Sequence, residues 1–146
     1  MNTDHLIHCL RSHSASKQTF RGVYPADKFP DNLTPLPGSC VLNTHPAGMP
    51  GEHWLAFYQT KESEIEFFDS FGKPLSFYGL ETTKRVTSQS LQFQSTLSVS
   101  CGMFCVYFIC MRSLGHSFLS VINRFSENTE INEGMVAEFM HDNFQI

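Results

Sequence analysis

Residues 98–110 read SVSCGMFCVYFIC, with a cysteine directly before a glycine at the head of a strongly apolar run. The run is apolar on nearly every side, which predicts a helix through the core rather than one on the surface. If Ser98 or Ser100 caps this helix, Cys101 lies in its first turn, where free backbone N–H groups and the helix dipole favour a thiolate. Gly102 allows another group to approach closely. Cys101 is therefore a candidate nucleophile, although cysteine is also a common small apolar core residue.

Composition places the chain among ordinary globular domains. It has 146 residues, of which 41% are hydrophobic and 13% aromatic, and we expect one domain over residues 1–146. A formal charge of −4 without a run of basic residues gives no indication of a nucleic-acid or acidic-membrane partner.

The cysteine content and the first residues of the sequence indicate the compartment in which the protein is expected. The five cysteines are an odd count, with three of them crowded in the apolar run, which favours a reducing compartment over a disulfide framework. The first residues lack the features of a signal peptide, and no apolar run approaches the ~20 residues of a membrane span. We therefore expect an intracellular protein that does not bind a membrane.

The hydrophobic pattern predicts an α+β fold. We expect a central, mainly antiparallel sheet packed against the buried helix, with further helices around it. The predicted helices are a short one behind a Thr3 cap, then Cys101–Leu114, Ser117–Asn123 and Glu133–Asn143. The predicted strands are Phe20–Tyr24, Cys40–Asn43, a hairpin of His53–Gln59 and Glu64–Asp69, and Leu91–Gln94, with a Pro/Gly turn through Pro46, Gly48, Pro50 and Gly51.

Three polar residues outside the helix complete a candidate catalytic set. Cysteine catalysis needs a base, a group that orients the base, and donors for the oxyanion. His53 begins one predicted strand of the hairpin and Asp69 ends the other, so a hydrogen bond between them would fix the imidazole tautomer. Gln94 and the backbone N–H of Cys101 are candidate oxyanion donors.

Each of these residues also has a plainer interpretation. His53 alone fits a packed or surface histidine, and Asp69 fits a turn residue at the end of a strand. Gln92 competes with Gln94 for the donor role, and Trp54, the single tryptophan, fits a core aromatic.

A metal site is a further alternative for the cysteines. Cys101, Cys105 and Cys110 with His116 supply ligand types that zinc prefers, but the paired Cys-x-x-Cys spacing is missing. We predict no metal and no cofactor.

Taken together, these features resemble the adenovirus-type cysteine protease (adenain) family, which has relatives in viruses and virus-like transposable elements. The order His53, Asp69, Gln94, Cys101 is that of the family, and the glutamine-to-cysteine separation matches its adenovirus branch rather than the cellular proteases of ubiquitin-like proteins. Segments that match are 20–24 with Asp27 and Phe29-Pro30, then 41–44, 51–57, 68–72 and 101–105.

The resemblance implies a papain-related fold and a thiol endopeptidase that cleaves viral or virus-like precursor proteins at Gly-containing sites. By resemblance His53 is the general base, Asp69 its orienting acid and Cys101 the nucleophile, with Gln94 and the Cys101 amide as the oxyanion hole. Trp54 would line a narrow passage for the substrate glycines, and Gly51 and Gly102 would contact the substrate. Such an enzyme would act in the host cytoplasm or nucleus, or in the virion.

The chain departs from the family in three respects. Asp69 stands where adenain has glutamate, a change that leaves the chemistry intact. No cysteine lies between Cys40 and Cys101, so a peptide activator held by a disulfide, as in adenain, is not expected here. The chain is acidic and offers only Lys84-Arg85 as a basic pair, so we expect weak or absent DNA stimulation.

Two other functions fit the same residues. A ubiquitin-like-protein isopeptidase would share the site and a preference for substrates with a C-terminal Gly-Gly. A catalytically inactive binding module would keep the fold but leave Cys101 an ordinary thiol.

Overall fold

The computed structural model describes residues 1–45 and 53–146, which form a five-stranded sheet with helices packed on it. The helices are α1 (Thr3–Ser12), α2 (Cys101–Ser113), α3 (Phe118–Ile122) and α4 (Thr129–Phe144). The strands are β1 (Phe20–Pro25), β2 (Gly38–Asn43), β3 (Trp54–Lys61), β4 (Glu64–Phe68) and β5 (Arg85–Ser88). A 3-10 turn at Leu75–Tyr78 lies between β4 and β5.

The sheet is antiparallel at its centre and parallel at both edges. Its strand order follows the chain from β1 to β5; β2–β3 and β3–β4 are antiparallel, whereas β1–β2 and β4–β5 are parallel. The edge pairs are parallel because the long segments after β1 and β4 return to the starting end before the next strand begins. The α+β class is confirmed, and the arrangement is compatible with a papain-related fold.

Two apolar clusters lie on opposite faces of the sheet and bury β3 on both sides. Ala56 and Tyr58 point into the cluster that contains α2, while Leu55 and Phe57 point into the other cluster. This explains why β3 is continuously apolar instead of alternating. The expected course of α2 through the core is confirmed, since nearly every residue of the helix is buried.

Two details of the predicted elements are wrong. Asn2, not Thr3, caps α1: its side chain accepts a hydrogen bond from the backbone N–H of His5 at 2.9 Å, and Thr3 already belongs to the helix. Ser100 is the N-cap residue of α2, but its side chain makes no capping hydrogen bond.

The strand predicted at Leu91–Gln94 is also wrong. The fifth strand is Arg85–Ser88, which pairs with β4. The backbone N–H groups of Phe93 and Gln94 instead donate to the carbonyl of Ser70 at 2.8 and 3.0 Å, which holds this segment as a loop.

The predicted turn through Pro46, Gly48, Pro50 and Gly51 lies outside the described residues. Over residues 1–45 and 53–146, no helix combines the length and the apolar character that crossing a membrane requires.

Candidate active site

The hairpin brings His53 and Asp69 together, as its sequence predicted. His53 immediately precedes β3 and Asp69 immediately follows β4, and because these strands are antiparallel the two residues lie at the same end of the sheet. His53 Nε2 lies 2.6 Å from Asp69 Oδ1. The side chains are 7% and 0% exposed, so the pair is shielded from water.

The carboxylate of Asp69 accepts hydrogen bonds from three further donors. The backbone N–H of Phe71 donates to Oδ1 at 3.1 Å, while the backbone N–H of Lys73 and the hydroxyl of Tyr78 donate to Oδ2 at 3.0 and 2.5 Å. A buried carboxylate is costly unless such donors replace water. These donors fix the oxygen that faces His53.

Two aromatic rings pack near the imidazole of His53. The ring of Phe71 stacks on it with centroids 4.4 Å apart, and the ring of Tyr78 lies 5.8 Å away. With Nε2 bonded to Asp69, the second ring nitrogen, Nδ1, remains for an interaction with Cys101, which helps to raise the pKa of His53.

Cys101 is the first residue of α2, as predicted. The N–H groups in the first turn of a helix have no acceptor within the helix, and together with the helix dipole they favour an anion there. The hydroxyl of Ser100 does not compete for them, because it is 2.6 Å from the Ser98 hydroxyl and donates to Glu133 Oε1 at 2.7 Å. Cys101 as a whole is 7% exposed.

The pKa values of His53 and Cys101 are shifted in the directions that favour the charged form of each group. Burial opposes the imidazolium, but hydrogen bonds to Asp69 and Cys101 and the negative charge of both outweigh it and raise the pKa of His53 to about 9. Burial likewise opposes the thiolate, but the hydrogen bond and charge of His53, with the backbone N–H groups of Trp54 and Gly102, lower the pKa of Cys101. The arrangement favours a thiolate beside an imidazolium.

Gln94 is fully buried, whereas Gln92 is exposed. The side-chain oxygen of Gln94 accepts a hydrogen bond from the Ser70 hydroxyl at 2.5 Å, and one N–H of its amide donates to the carbonyl of Ser98 at 3.1 Å. Because Ser70 directly follows Asp69, the loop that carries Gln94 is fixed to the same turn as the carboxylate. The second N–H of the Gln94 amide remains for another acceptor.

A cluster of buried phenylalanines fixes the segments that carry these residues. Phe68, next to Asp69, stacks on Phe108 of α2 with centroids 4.8 Å apart. Phe93, next to Gln94, stacks on Phe125 at 4.5 Å, and Phe125 also stacks on Phe104 of α2 at 5.7 Å. The hairpin, the loop and the nucleophile helix are thereby held in one rigid arrangement.

Trp54 and Gly102 both contact the N-terminal residue. The indole N–H of Trp54 donates to the carbonyl of Met1 at 3.2 Å. A Cβ on Gly102 would lie 3.0 Å from the Cβ of Met1, so the glycine permits this close approach. Gly51, the third predicted substrate contact, lies outside the described residues.

The other cysteines behave as core residues. All five cysteines are free, and burial raises the pKa of Cys9, Cys40, Cys105 and Cys110. In the described part of the chain, no group of three or more His, Cys, Asp or Glu residues could hold a metal ion.

Sequence reasoning missed Tyr78 and Ser70. Tyr78 lies in a short 3-10 turn without hydrophobic periodicity, so its contact with Asp69 left no signal in the pattern. Ser70 stands beside Asp69, where a serine is also common as a plain turn residue.

No protein-family model and no curated protein matches the sequence. Among solved structures, the central domain of the uncharacterized Lpg1148 protein from Legionella pneumophila matches with a TM-score of 0.53 and 16% identity, over 100% of this chain and 99% of that one. This likeness shows a shared fold.

Two further structures match less well. The ASFV pS273R protease has a TM-score of 0.46 and 21% identity over 68% of this chain. The Rickettsia bellii effector protein RickCE has a TM-score of 0.46 and 15% identity over 82% of this chain. The chain spans 42% and 50% of the lengths of these two structures, and no conclusion rests on them.

Proposed function

We propose that this protein is a cysteine endopeptidase that cleaves precursor proteins of a virus or virus-like element at Gly-containing sites. The observation that carries the proposal is the position of His53, which lies 2.6 Å from Asp69 and lowers the pKa of Cys101 at the start of a buried helix. Burial alone would keep both groups neutral. Their pKa values are instead shifted in favour of a thiolate and an imidazolium, which are the forms that thiol catalysis requires.

Each residue has a role in the proposed reaction. The thiolate of Cys101 attacks the substrate carbonyl, and the amide of Gln94 with the backbone N–H of Cys101 stabilises the oxyanion that forms. His53 gives its proton to the leaving amine, which breaks the C–N bond and leaves a thioester. His53 then takes a proton from water as the water attacks the thioester, which breaks the C–S bond, releases the acid and restores the thiolate beside the imidazolium.

Crowding around the sulfur supports the preference for glycine. Cys101 is 7% exposed, and Trp54, Met1 and Gly102 lie against one another beside it. A substrate backbone that carries no side chains enters such a space more easily than one that carries large side chains.

The test is cleavage of an internally quenched peptide with a central Gly-Gly, without DNA or an activator peptide. We expect Cys101→Ala to abolish cleavage and His53→Ala to lower kcat/KM by roughly 10⁴-fold. His141→Ala, at an exposed histidine of α4, is the matched control and should cleave like the wild type. Undiminished cleavage by a folded Cys101→Ala variant would refute the proposal.

A further inference from the structure

A cavity of about 550 Å³ opens beside the imidazole of His53. Its walls include the rings of Phe71, Phe77 and Tyr78, the amide of Gln92 and the side chain of Lys73. These residues come from the turn after β4, the 3-10 turn and the loop before α2, so the cavity belongs to the same end of the sheet as Asp69. The catalytic roles proposed above use only His53 among these groups.

The chemistry of peptide cleavage indicates which part of a substrate meets this cavity. The acyl group becomes attached to Cys101, whereas the leaving amine must come within hydrogen-bond reach of His53 to receive its proton. The substrate residues that follow the scissile bond therefore begin next to His53. The cavity that His53 lines is the space next to that starting point.

Lys73 gives the cavity a positive charge. Its backbone N–H is bound to Asp69, which fixes the position of the residue, and its ammonium lies 5.3 Å from the centroid of the exposed Phe77 ring. Among the described residues, none forms an ion pair with the Lys73 ammonium, and no carboxylate lines the cavity. No described group therefore neutralises this charge, which can attract a substrate carboxylate.

The carboxylate of Asp69 does not cancel this attraction. It is 1% exposed and its oxygens accept from His53, Phe71, Lys73 and Tyr78. Its negative charge is directed at His53, behind the cavity wall, while the Lys73 side chain is exposed. A ligand in the cavity thus meets an ammonium and aromatic rings.

On the premise of the proposed peptidase activity, we propose that this cavity binds the substrate residues after the scissile bond and that Lys73 selects an Asp or Glu at the first or second of them. The aromatic walls would pack against the substrate backbone, and the ammonium would pair with the acidic side chain. Acidic residues upstream of the scissile bond would gain nothing from Lys73.

The experiment compares quenched Gly-Gly peptides that differ only in carrying Glu, Gln or Lys at the first or second position after the cleaved bond. For the wild type we expect kcat/KM to be about fivefold higher with Glu than with Lys, the size of a partly exposed charge pair, and this preference to shrink in high salt. Lys73→Met should remove the preference and Lys73→Glu should reverse it. Lys61→Glu, at the exposed last residue of β3, should leave the preference unchanged.

The outcomes separate this inference from the proposed function. Equal cleavage of all peptides by the wild type, or an unchanged preference in both Lys73 variants, would overturn the inference and leave the peptidase intact. Loss of cleavage of every peptide on Cys101→Ala, together with the reversal in Lys73→Glu, would support both. A wild type that cleaves none of these peptides would overturn the proposed function and this inference with it.

Discussion

Asp69 receives hydrogen bonds from three parts of the molecule: the residue before β3, the turn that follows β4, and the 3-10 turn at Leu75–Tyr78. A carboxylate bound this way cannot rotate without breaking several bonds at once. The imidazole that it orients is fixed as well, because stacking on Phe71 limits the tilt of the ring. We therefore expect Tyr78 to act as a positioning residue that holds the carboxylate of Asp69 in its orientation toward His53.

Replacing Tyr78 by Phe removes the hydroxyl that donates to Asp69 Oδ2 and keeps the ring beside His53. We expect kcat/KM for the Gly-Gly peptide to fall about tenfold, which corresponds to about 1.4 kcal/mol. With one donor fewer, the carboxylate interacts more strongly with the imidazolium, so the alkaline limit of the pH–rate profile should move upward.

Tyr24→Phe provides the control, since among residues 1–45 and 53–146 the Tyr24 hydroxyl bonds only to the backbone carbonyl of Arg21, at 3.3 Å. It should change neither rate nor profile. A Tyr78→Phe variant with the rate and pH profile of the wild type would show that Tyr78 does not position Asp69.

Sequence alone predicted which residues lie together where the geometry is local. Cys101 is the first residue of an apolar helix, and His53 and Asp69 stand at the ends of two strands joined by a tight turn, so pairing them needs only hairpin geometry. Tyr78 could not be found this way. Its contact depends on how an irregular segment folds back, which no periodicity encodes.

At the scale of elements, α4 holds the loop that precedes the nucleophile. The side-chain amide of Asn132 donates to the carbonyl of Phe93 at 3.1 Å, and Glu133 accepts from the hydroxyl of Ser100 at 2.7 Å. These contacts hold both ends of the segment between Gln94 and Cys101. The helix thus contributes to the site without touching the thiol.

Glu133→Ala tests this contribution. Losing a hydrogen bond to a charged group costs up to about 1.5–3 kcal/mol of free energy. We expect part of this cost to appear as about a tenfold fall in kcat/KM, with only a small fall in Tm. Ser100→Ala should have a similar effect, and the double variant should be no worse than either single variant.

Glu138→Ala, at an exposed position of the same helix, is the matched control and should behave like the wild type. Additive losses in the double variant would mean that Glu133 and Ser100 act independently, against the proposed link.

The edge of the sheet shows where element prediction fails. The segment Leu91–Gln94 was predicted as a strand, but Phe93 is drawn into the cluster around Phe125, and the backbone bonds to Ser70 instead of to a strand. The real strand, Arg85–Ser88, is mostly exposed and lacks a strong apolar pattern. Tertiary packing outweighed local propensity in both places.

Across the whole molecule, the sheet, the phenylalanine cluster and α2 together hold one charged pair. The buried helix and the hairpin were predictable because each has a strong local signal. Their mutual placement was not, since it depends on stacking among Phe68, Phe93, Phe104 and Phe125, which are far apart in sequence.

The thiolate–imidazolium pair predicts a limited pH range in which Cys101 is reactive. The thiolate is lost as pH falls through the lowered pKa of Cys101, and the imidazolium is lost as pH rises through about 9, the raised pKa of His53. Reactivity of the thiol should therefore extend below the usual pKa of a cysteine, about 8.5.

The most direct test is the rate at which iodoacetamide alkylates Cys101 across pH, followed by peptide mapping. In the native wild type we expect rapid alkylation at pH 7 that changes little up to pH 8.5. In His53→Ala the rate at pH 7 should fall about tenfold and rise steadily with pH, as for an unassisted thiol. The buried Cys9, Cys40, Cys105 and Cys110 serve as internal references that stay unmodified. A Cys101 whose rate follows an ordinary thiol pKa in both proteins would contradict the account.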